Sequence, residues 1–240
     1  MTEATTTKPR LSIVIPAMNE EEGIGDVLDQ IPRAELEAMG YPLEIVVVDG
    51  ESVDRTRDIS RQKGARVVIE PRKGYGRAYK TGFETAQGEI IATGDADLTY
   101  PFDKLPEILR LFEKEKLDFL TTNRFGKLQE GAMSAKHKLG NWVLSTTARV
   151  LFMVDVKDSQ SGMWLMRSGI LPQLKLTSDG MPLSEEIKIE AFGKPHLRCR
   201  EIPIEYRVRV GDVKLSSWKD GYRNLKFLLQ KRFGVAEPES

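Results

Sequence analysis

The sequence predicts an α/β fold with a mostly parallel central sheet flanked by helices. Short apolar segments rich in β-branched residues recur along the first half of the chain, as at Leu11–Pro16 and Leu43–Val48. Segments with apolar residues at helical spacing alternate with them. The strand segments are apolar on both faces, which is typical of parallel strands covered by helices on each side.

The predicted elements alternate between strand and helix up to Arg124. Strands are predicted at 11–16, 43–48, 66–69, 89–93 and 118–122, and helices at 20–30, 54–63, 74–86 and 102–116. Further along, helices are predicted at 135–152, 184–192 and 215–233, and strands at 162–166 and 197–208. Pro203 lacks the N–H that a sheet needs, so we expect the last strand at an edge. The final helix is amphipathic.

Composition indicates a single domain. The 240 residues show no break in composition, so we expect one domain over 11–233, a flexible segment over 1–10 and a tail over 234–240. Acidic and basic residues number 36 each, which argues against a nucleic-acid partner. No segment reaches the roughly 18–20 apolar residues of a membrane helix, and no signal-peptide pattern is present. With Cys199 as the single cysteine, a cytoplasmic location is expected.

Polar clusters follow three of the predicted strands where each strand ends. They are Pro16–Glu20, Asp49–Ser52 and Asp95–Asp97. Ligands of open parallel sheets bind at the carboxyl ends of the strands, so we expect these clusters to line one cleft. Asp49 alone could equally serve a turn or a helix cap. Three such clusters at three strand ends favour a binding site.

The Asp95-Ala96-Asp97 triplet predicts a metal site. Two carboxylates that flank a small residue can hold a hard divalent cation such as Mg²⁺ or Mn²⁺, whose other ligands are phosphate oxygens and water. The segment Lys73–Arg77 could in addition cradle a phosphate through backbone N–H groups at a helix start. It is not a dinucleotide fingerprint, because Tyr79 stands where the third glycine belongs, and it lacks the ending of a P-loop.

Seven segments occur together in an order that is specific to one family. They are IVIPAMNEEEGI (13–24), VVVDGESVDRT (46–56), KGYGRAYKTGF (73–83), IIATGDADLTYP (90–101), FLTTNRF (119–125), DSQSGMWLMR (158–167) and IEYRVRVGDVKL (204–215). With them the chain resembles a family 2 glycosyltransferase of the GT-A fold, in the branch of dolichyl-phosphate mannose and glucose synthases. The resemblance implies a Rossmann-like sheet, with a nucleotide-sugar-binding half over 11–124 and an acceptor half with a membrane-proximal helix over 125–233.

The resemblance also implies roles for individual residues. The nucleoside of the donor is bordered by Pro16, Ala17, Asn19 and Glu20, with Asp49 at its base. The donor is covered by Lys73 and Gly74. The metal motif consists of Asp95, Ala96 and Asp97, with Asp95 and Asp97 as the ligands. Arg124 is the best acceptor-phosphate ligand, since a guanidinium matches phosphate with two parallel hydrogen bonds. Lys138 and Ser161 are weaker acceptor candidates, and Arg209 and Lys214 are expected near the donor diphosphate or the acceptor phosphate. Asp97 and Arg124 are the catalytic pair.

The implied reaction moves a hexose or N-acetylhexosamine from a UDP- or GDP-sugar to polyprenyl (dolichyl) phosphate, with inversion and with Mg²⁺ or Mn²⁺. The acceptor phosphate is already anionic, so it needs positioning more than a general base. The lipid substrate implies peripheral association with the cytoplasmic face of a membrane. Helix 215–233 is suited to this contact, because basic residues surround its apolar side, and helix 135–152 offers a second contact. The apolar side consists of Leu215, Trp218, Tyr222, Leu225 and Leu229.

Two departures from the family pattern and two alternatives remain at this point. Many relatives have Asp-Asp-Gly-Ser where this chain has Asp49–Ser52, and Thr99 replaces a glutamine that often follows the metal motif, so a third protein ligand is not assigned. One alternative is a soluble or polysaccharide hydroxyl acceptor, whose base could be Glu185 or Glu186. The other is a silent nucleotide-sugar-binding module, which predicts a damaged metal motif or missing basic residues.

Overall fold

The computed structural model describes residues 8–211 and 217–234. The strands are β1 Leu11–Ala17, β2 Leu43–Asp49, β3 Arg66–Ile69, β4 Ile90–Thr93, β5 Phe119–Leu128, β6 Trp164–Arg167 and β7 Cys199–Tyr206. The helices are α1 Ile24–Asp29, α2 Arg33–Ala38, α3 Thr56–Gln62, α4 Tyr75–Thr85, α5 Leu105–Lys114, α6 Ala135–Phe152, α7 Leu183–Phe192 and α8 Ser217–Phe233. Short 3₁₀ turns occupy Phe102–Lys104 and Ser168–Gln173.

The described strands form one seven-stranded sheet in the order β3-β2-β1-β4-β6-β5-β7. Strands β1 to β4 are mutually parallel, and β7 is parallel to β5. Strand β6 runs antiparallel to both of its neighbours, β4 and β5. The predicted α/β fold with a mostly parallel sheet is therefore confirmed. Strand β7 lies at an edge, where Pro203 needs no partner for its missing N–H.

Both faces of the sheet are covered, which explains the continuous apolar runs of the strands. Leu11, Ile13 and Ile15 of β1 face a core formed with α1, α2 and α5, whereas Val14 between them faces α4 and α7. Successive side chains of a strand point to opposite faces, so a strand buried on both sides must be apolar at every position. Helices thus pack on both faces of the sheet, and the loops at the carboxyl ends of the strands are the remaining place where a ligand can bind.

Three elements differ from the sequence prediction. The helix predicted at 20–30 begins only at Ile24, because the N–H groups of Glu20 and Glu21 bind side chains of the next loop rather than continuing a helix. Helix α2 was not predicted, since it is short and has one buried residue, Leu36. Strand β5 continues to Leu128, because pairing with β7 resumes beyond a bulge after Asn123.

Helices α6 and α8 pack on each other beside the sheet. Leu144 and Ala148 of α6 contact Leu228 and the partly buried Leu225 of α8 in a third apolar cluster. Of the helices in the part of the chain described, none is long and apolar enough to cross a membrane.

Candidate active site

The three polar clusters meet at one edge of the sheet, as the sequence predicts. Ala17 and Asp49 are register partners at the ends of β1 and β2, and the Gly50 N–H donates to the Ala17 carbonyl at 2.9 Å. The loop after β1 also reaches the metal motif. A Cβ on Gly23 would lie 2.9 Å from the Ala96 carbonyl oxygen, so only glycine permits this close contact.

Each of these loops contains a non-glycine residue in the left-handed region. Asn19, Glu51 and Leu98 have φ of 53°, 60° and 66°. Such residues cost about 1 kcal/mol or more and persist only where the surrounding structure holds them. The Asn19 N–H donates to Ser52 Oγ at 2.9 Å, and Asn19 Oδ1 accepts from the Val53 N–H at 2.8 Å. The first two loops are therefore fixed against each other before a ligand binds.

Asp49 supplies a buried acceptor at the base of this cleft. Its carboxylate is fully buried. Oδ2 accepts from the Ser52 N–H at 3.0 Å and lies 3.8 Å from Arg57 Nε. Oδ1 has no hydrogen-bond partner among the described residues. Because buried polar atoms are nearly always paired, this oxygen is available to an N–H or hydroxyl of a ligand.

Asp97 is held between its own loop and a distant arginine. Oδ1 accepts from the Thr99 N–H at 3.1 Å and from the Thr99 hydroxyl at 2.6 Å. Oδ2 lies 3.1 Å from Arg209 Nη1, and Arg209 Nη2 lies 3.1 Å from Glu20 Oε1. A single guanidinium therefore bridges the loops that follow β1 and β4.

Backbone hydrogen bonds hold the segment that contains Arg209 on the metal motif. The Arg207 N–H donates to the Thr99 carbonyl, and the Val210 N–H donates to the Asp97 carbonyl, both at 3.0 Å. This pairing places residues 207–210 across the mouth of the donor cleft. Lys214, predicted to act beside Arg209, lies outside the described residues.

Asp95 is held by two tyrosines that the sequence interpretation missed. Its Oδ1 accepts from the phenols of Tyr75 and Tyr79, each at 3.2 Å. Burial, and after it the negative charge of Asp97, raise the pKa of Asp95 to about 7. The tyrosines stand one helical turn apart at the start of α4, a spacing that could have identified them as one hydrogen-bonding pair.

The carboxylates fit a divalent cation whose remaining ligands come from the substrate. Among the described residues, no group of three or more His, Cys, Asp or Glu side chains converges, and the Thr99 hydroxyl is engaged by Asp97. Asp95 and Asp97 would thus be the protein ligands, and Mg²⁺ usually keeps several waters and phosphate oxygens in such sites. The guanidinium of Arg209 lies where such a cation would contact Asp97 Oδ2.

The glycines at the start of α4 allow close packing against residues 178–180. A Cβ on Gly74 would collide with the Asp179 carbonyl, and one on Gly76 would lie 2.7 Å from the Ser178 carbonyl. The Arg77 N–H donates to the Asp179 carbonyl at 3.0 Å. A phosphate at this helix start would therefore have to bind N–H groups other than that of Arg77. The side chain of Lys73 is exposed.

Arg124 forms a buried ion pair on the other side of Asp95. Its Nε and Nη2 bind the Asp158 carboxylate at 2.7 and 2.9 Å, and its backbone N–H donates to the same carboxylate at 3.0 Å. The guanidinium carbon lies 5.3 Å from the centre of the Tyr206 ring. The charge of Arg124 holds the pKa of Asp158 below its ordinary value, although burial by itself would raise it.

The segment 158–162, which we call the acceptor-side loop, joins this ion pair to Asp95. The Ser161 hydroxyl contacts Thr122 Oγ1 at 2.6 Å, and the Gly162 N–H donates to the Tyr100 phenol at 2.6 Å. A Cβ on Gly162 would lie 3.4 Å from Asp95 Oδ1. Ser161 is fully buried in this loop, whereas Lys138 is exposed on α6.

The two candidate bases for a hydroxyl acceptor lie on α7 and differ in their contacts. Glu186 accepts from the N–H groups of Thr177 and Ser178 at 2.9 Å each and pairs with Lys231 Nζ at 3.1 Å. Glu185 is fully buried, and burial raises its pKa well above the ordinary value. Both oxygens of Glu186 are therefore engaged, whereas Glu185 Oε1 has no hydrogen-bond partner among the described residues.

Comparison with curated proteins identifies the family. The profile described as Glycosyl transferase family 2 matches residues 12–174. The chain is 38% identical over 224 residues to the low-salt glycan biosynthesis hexosyltransferase Agl6 of Haloferax volcanii, which covers 92% of this chain and 53% of the relative. It is 34% identical over 214 residues to a dolichyl-phosphate hexose transferase of the same organism, over 88% of this chain and 89% of the relative. The chain thus spans about half of Agl6 and most of the second relative.

Solved structures show the same fold. Glucosyl-3-phosphoglycerate synthase from Mycobacterium tuberculosis, in complex with Mn²⁺, UDP and glucosyl-3-phosphoglycerate, superposes with a TM-score of 0.74 at 23% identity, over 95% of this chain and 81% of that one. The same enzyme with Mg²⁺ and UDP gives a TM-score of 0.73 at 21% identity, with the same coverage of both chains. This likeness confirms the GT-A fold. Together with the sequence matches, it establishes that the chain is a glycosyltransferase of family 2, in the dolichyl-phosphate sugar synthase-like branch that its motifs resemble.

Proposed function

We propose that this enzyme transfers a hexose or N-acetylhexosamine from a UDP- or GDP-sugar to a polyprenyl phosphate such as dolichyl phosphate, with a divalent metal ion and with inversion. The observation that carries the proposal is the position of Asp95. Asp95 lies between two regions. One is the proposed nucleotide cleft, where Asp49 Oδ1 has no hydrogen-bond partner among the described residues, and the other is the acceptor-side loop, which binds Arg124. A dolichyl-phosphate hexose transferase among the relatives supports this substrate class.

On the donor side, the loops after β1, β2 and β4 would hold the nucleotide. Asp49 Oδ1 is suited to an N–H or hydroxyl of the nucleoside, which Pro16, Ala17, Asn19 and Glu20 would border. Lys73, Gly74 and Arg209 would lie nearest the diphosphate. Asp95 and Asp97 would hold Mg²⁺ or Mn²⁺, and the bound cation would neutralise charge on the leaving diphosphate.

On the acceptor side, Arg124 would orient the phosphate together with Ser161 of the acceptor-side loop, and Lys138 and Lys214 are further cationic candidates. An oxygen of the acceptor phosphate attacks the anomeric carbon. The bond from that carbon to the diphosphate oxygen breaks, and the nucleoside diphosphate leaves with the electron pair. A single in-line displacement inverts the anomeric carbon, so an α-linked donor gives a β-linked product. An anionic phosphate needs no general base, so this reaction requires neither Glu185 nor Glu186.

The lipid tail places the enzyme at the cytoplasmic surface of a membrane in this proposal. Apolar side chains on α6 are exposed in a stripe at helical spacing, and further ones lie on α8. They are Leu139, Trp142, Val143 and Val150 on α6, Met153 directly after α6, and Tyr222, Leu229 and Phe233 on α8. The apolar side predicted for the last helix therefore divides, because Leu225 packs against α6 while Tyr222 and Leu229 point outward. Leu215 and the Trp218 side chain lie outside the described part of the chain.

A soluble acceptor is the second candidate, because glucosyl-3-phosphoglycerate synthase shares the fold and has been solved with phosphoglyceric acid. That acceptor class offers a hydroxyl and would need a base. Glu186 is engaged by protein groups, whereas Glu185 Oε1 has no hydrogen-bond partner among the described residues, so Glu185 is the candidate base for this alternative. A silent binding module is disfavoured, since Asp95, Asp97 and Arg124 are all in place.

A panel of radiolabelled nucleotide sugars, incubated with the enzyme and either polyprenyl phosphate or a soluble phosphorylated acceptor, tests the proposal. We expect label in the organic phase with one donor and Mg²⁺ or Mn²⁺, and none after chelation. Label confined to a water-soluble product would establish the second candidate instead. Tight donor binding with no product of either kind would favour the silent module.

A further inference from the structure

Lys188 on α7 is a fully buried lysine whose ammonium group contacts the acceptor-side loop. Only 1% of the residue is exposed. Its Nζ donates to the carbonyl oxygen of Asp158 at 2.7 Å and to that of Ser161 at 2.8 Å. Lysine is almost never fully buried unless it is paired, so its retention here calls for a specific reason. The two carbonyl groups lie near opposite ends of one short loop.

This loop sets the position of Arg124 relative to Asp95. At one end, the Asp158 carboxylate holds the Arg124 guanidinium with two hydrogen bonds. At the other end, Gly162 lies against Asp95 and donates to Tyr100. A shift of the loop would therefore move the guanidinium with respect to the metal motif. Lys188 ties both ends of the loop to α7.

The charges around Lys188 nearly balance. Glu201 accepts from the backbone N–H of Asp158 at 2.9 Å. Burial lowers the pKa of Lys188 to about 7, and the charge of Arg124 acts in the same direction, while Asp158, Glu201 and Glu185 oppose the shift. The charged ammonium group makes stronger hydrogen bonds to the two carbonyl oxygens than a neutral amine would. Its charge adds to the positive potential at Arg124.

We propose that Lys188 is a positioning residue for the acceptor: it fixes the acceptor-side loop so that Arg124 presents its guanidinium to the acceptor phosphate. The inference rests on the proposed function, because it assigns Arg124 to that phosphate. Lys188 touches neither substrate. Its effect should therefore appear in acceptor kinetics and in the mobility of the loop, and not in donor affinity.

Three variants separate this role from general stabilisation. Both Lys188→Met and Lys188→Gln shorten the side chain by one atom. The first removes every N–H donor, whereas the second keeps two N–H groups on a neutral side chain. Lys194→Met at the end of α7, where Lys194 lies 3.9 Å from Glu190, is the control. Two buried carbonyl oxygens lose their donors in Lys188→Met, so we expect the acceptor KM to rise about tenfold or more. The donor Kd from calorimetry should stay within about twofold of the wild-type value. The acceptor KM of Lys188→Gln should lie between those of the wild type and Lys188→Met, and the acceptor KM of Lys194→Met should be unchanged.

The pH profile provides a test if Lys188→Met fails to fold. Wild-type Lys188 loses its charge as pH rises through about 7, so the positive potential at Arg124 falls and the acceptor KM should rise. Lys188→Gln is neutral throughout and should lack this step, while the ionisation of the acceptor itself is common to both enzymes. Parallel profiles would overturn the proposal, as would a folded Lys188→Met enzyme with a wild-type acceptor KM.

Hydrogen exchange keeps this inference separable from the proposed function. Peptides that cover 158–162 and Arg124 should exchange faster in Lys188→Met than in Lys194→Met, with or without turnover. Unchanged exchange would refute the positioning role on its own. Absence of any lipid product from the wild-type enzyme would refute the proposed function, whatever the exchange shows.

Discussion

Replacing Arg209 with glutamine should change metal binding and nucleotide binding in opposite directions. In the free protein the Arg209 guanidinium lies 3.1 Å from Asp97 Oδ2 and 3.1 Å from Glu20 Oε1. A cation that binds Asp97 must displace the guanidinium or share the carboxylate with it. Glutamine removes this competition, so metal alone should bind more tightly. A nucleoside diphosphate should bind less tightly, because a positive charge at the mouth of the cleft is lost.

The contacts set the size of both effects. Hydrogen bonds to charged groups contribute about 1.5–3 kcal/mol, and exposure of the arginine reduces this. Arg209 is 25% exposed while its two carboxylate partners are largely buried. We therefore expect changes of about 1.4 kcal/mol, which is about tenfold in each dissociation constant.

Manganese titration followed by electron paramagnetic resonance, without nucleotide, measures the first effect, and calorimetry with UDP or GDP measures the second. Arg207→Gln is the matched control, because Arg207 lies in the same segment but pairs with Asp103 at 2.9 Å. Unchanged or weaker manganese binding in Arg209→Gln, with Arg207→Gln like the wild type, would refute the competition.

Three further outcomes are expected. Asp97→Ala should nearly abolish turnover and leave the circular dichroism spectrum unchanged; full activity of this variant in chelator would exclude the metal site. Arg124→Ala should destabilise the fold by about 3–5 kcal/mol in urea unfolding, since it leaves Asp158 buried without a cation, and Arg124→Ala with Asp158→Asn should recover part of this loss. In that folded double variant, acceptor use should fall much more than donor affinity; an equal fall would assign Arg124 to the donor. Trp142→Ser should reduce sedimentation with anionic liposomes about tenfold and spare turnover on a short water-soluble acceptor; unchanged sedimentation would exclude α6 as the membrane contact.

Local pattern was sufficient for most of the sheet. Strands such as Leu43–Asp49 are apolar at almost every position, and this burial on both faces separates them from the amphipathic helices around them. The extension of β5 to Leu128 could not be predicted in this way. Its last residues pair with β7, which lies far away in sequence, and their own composition is mixed.

The donor cleft was predictable because parallel topology alone brings the carboxyl ends of β1, β2 and β4 together. Contacts between segments that are distant in sequence could not be predicted in this way. Arg209 reaches Asp97 from a segment that follows the last strand, and no local pattern specifies which carboxylate it meets. Lys188 stands between Ile187 and Ile189 in a helix that is buried on nearly every side. A lysine between two isoleucines of a buried helix indicates a buried ammonium group, but Lys188 belongs to none of the family motifs.

In the proposed reaction, charge favours the binding of a cation together with the donor. Within the described residues, the donor edge has the carboxylates of Glu20, Asp49, Asp95 and Asp97, against the guanidinium groups of Arg57 and Arg209. Burial, and after it the charge of Asp97, raise the pKa of Asp95 to about 7, so two negative charges at this site are unfavourable. A diphosphate would add further negative charge at the same place. A divalent cation between the carboxylates and the diphosphate removes both repulsions, whereas Arg209 can offset only one of them.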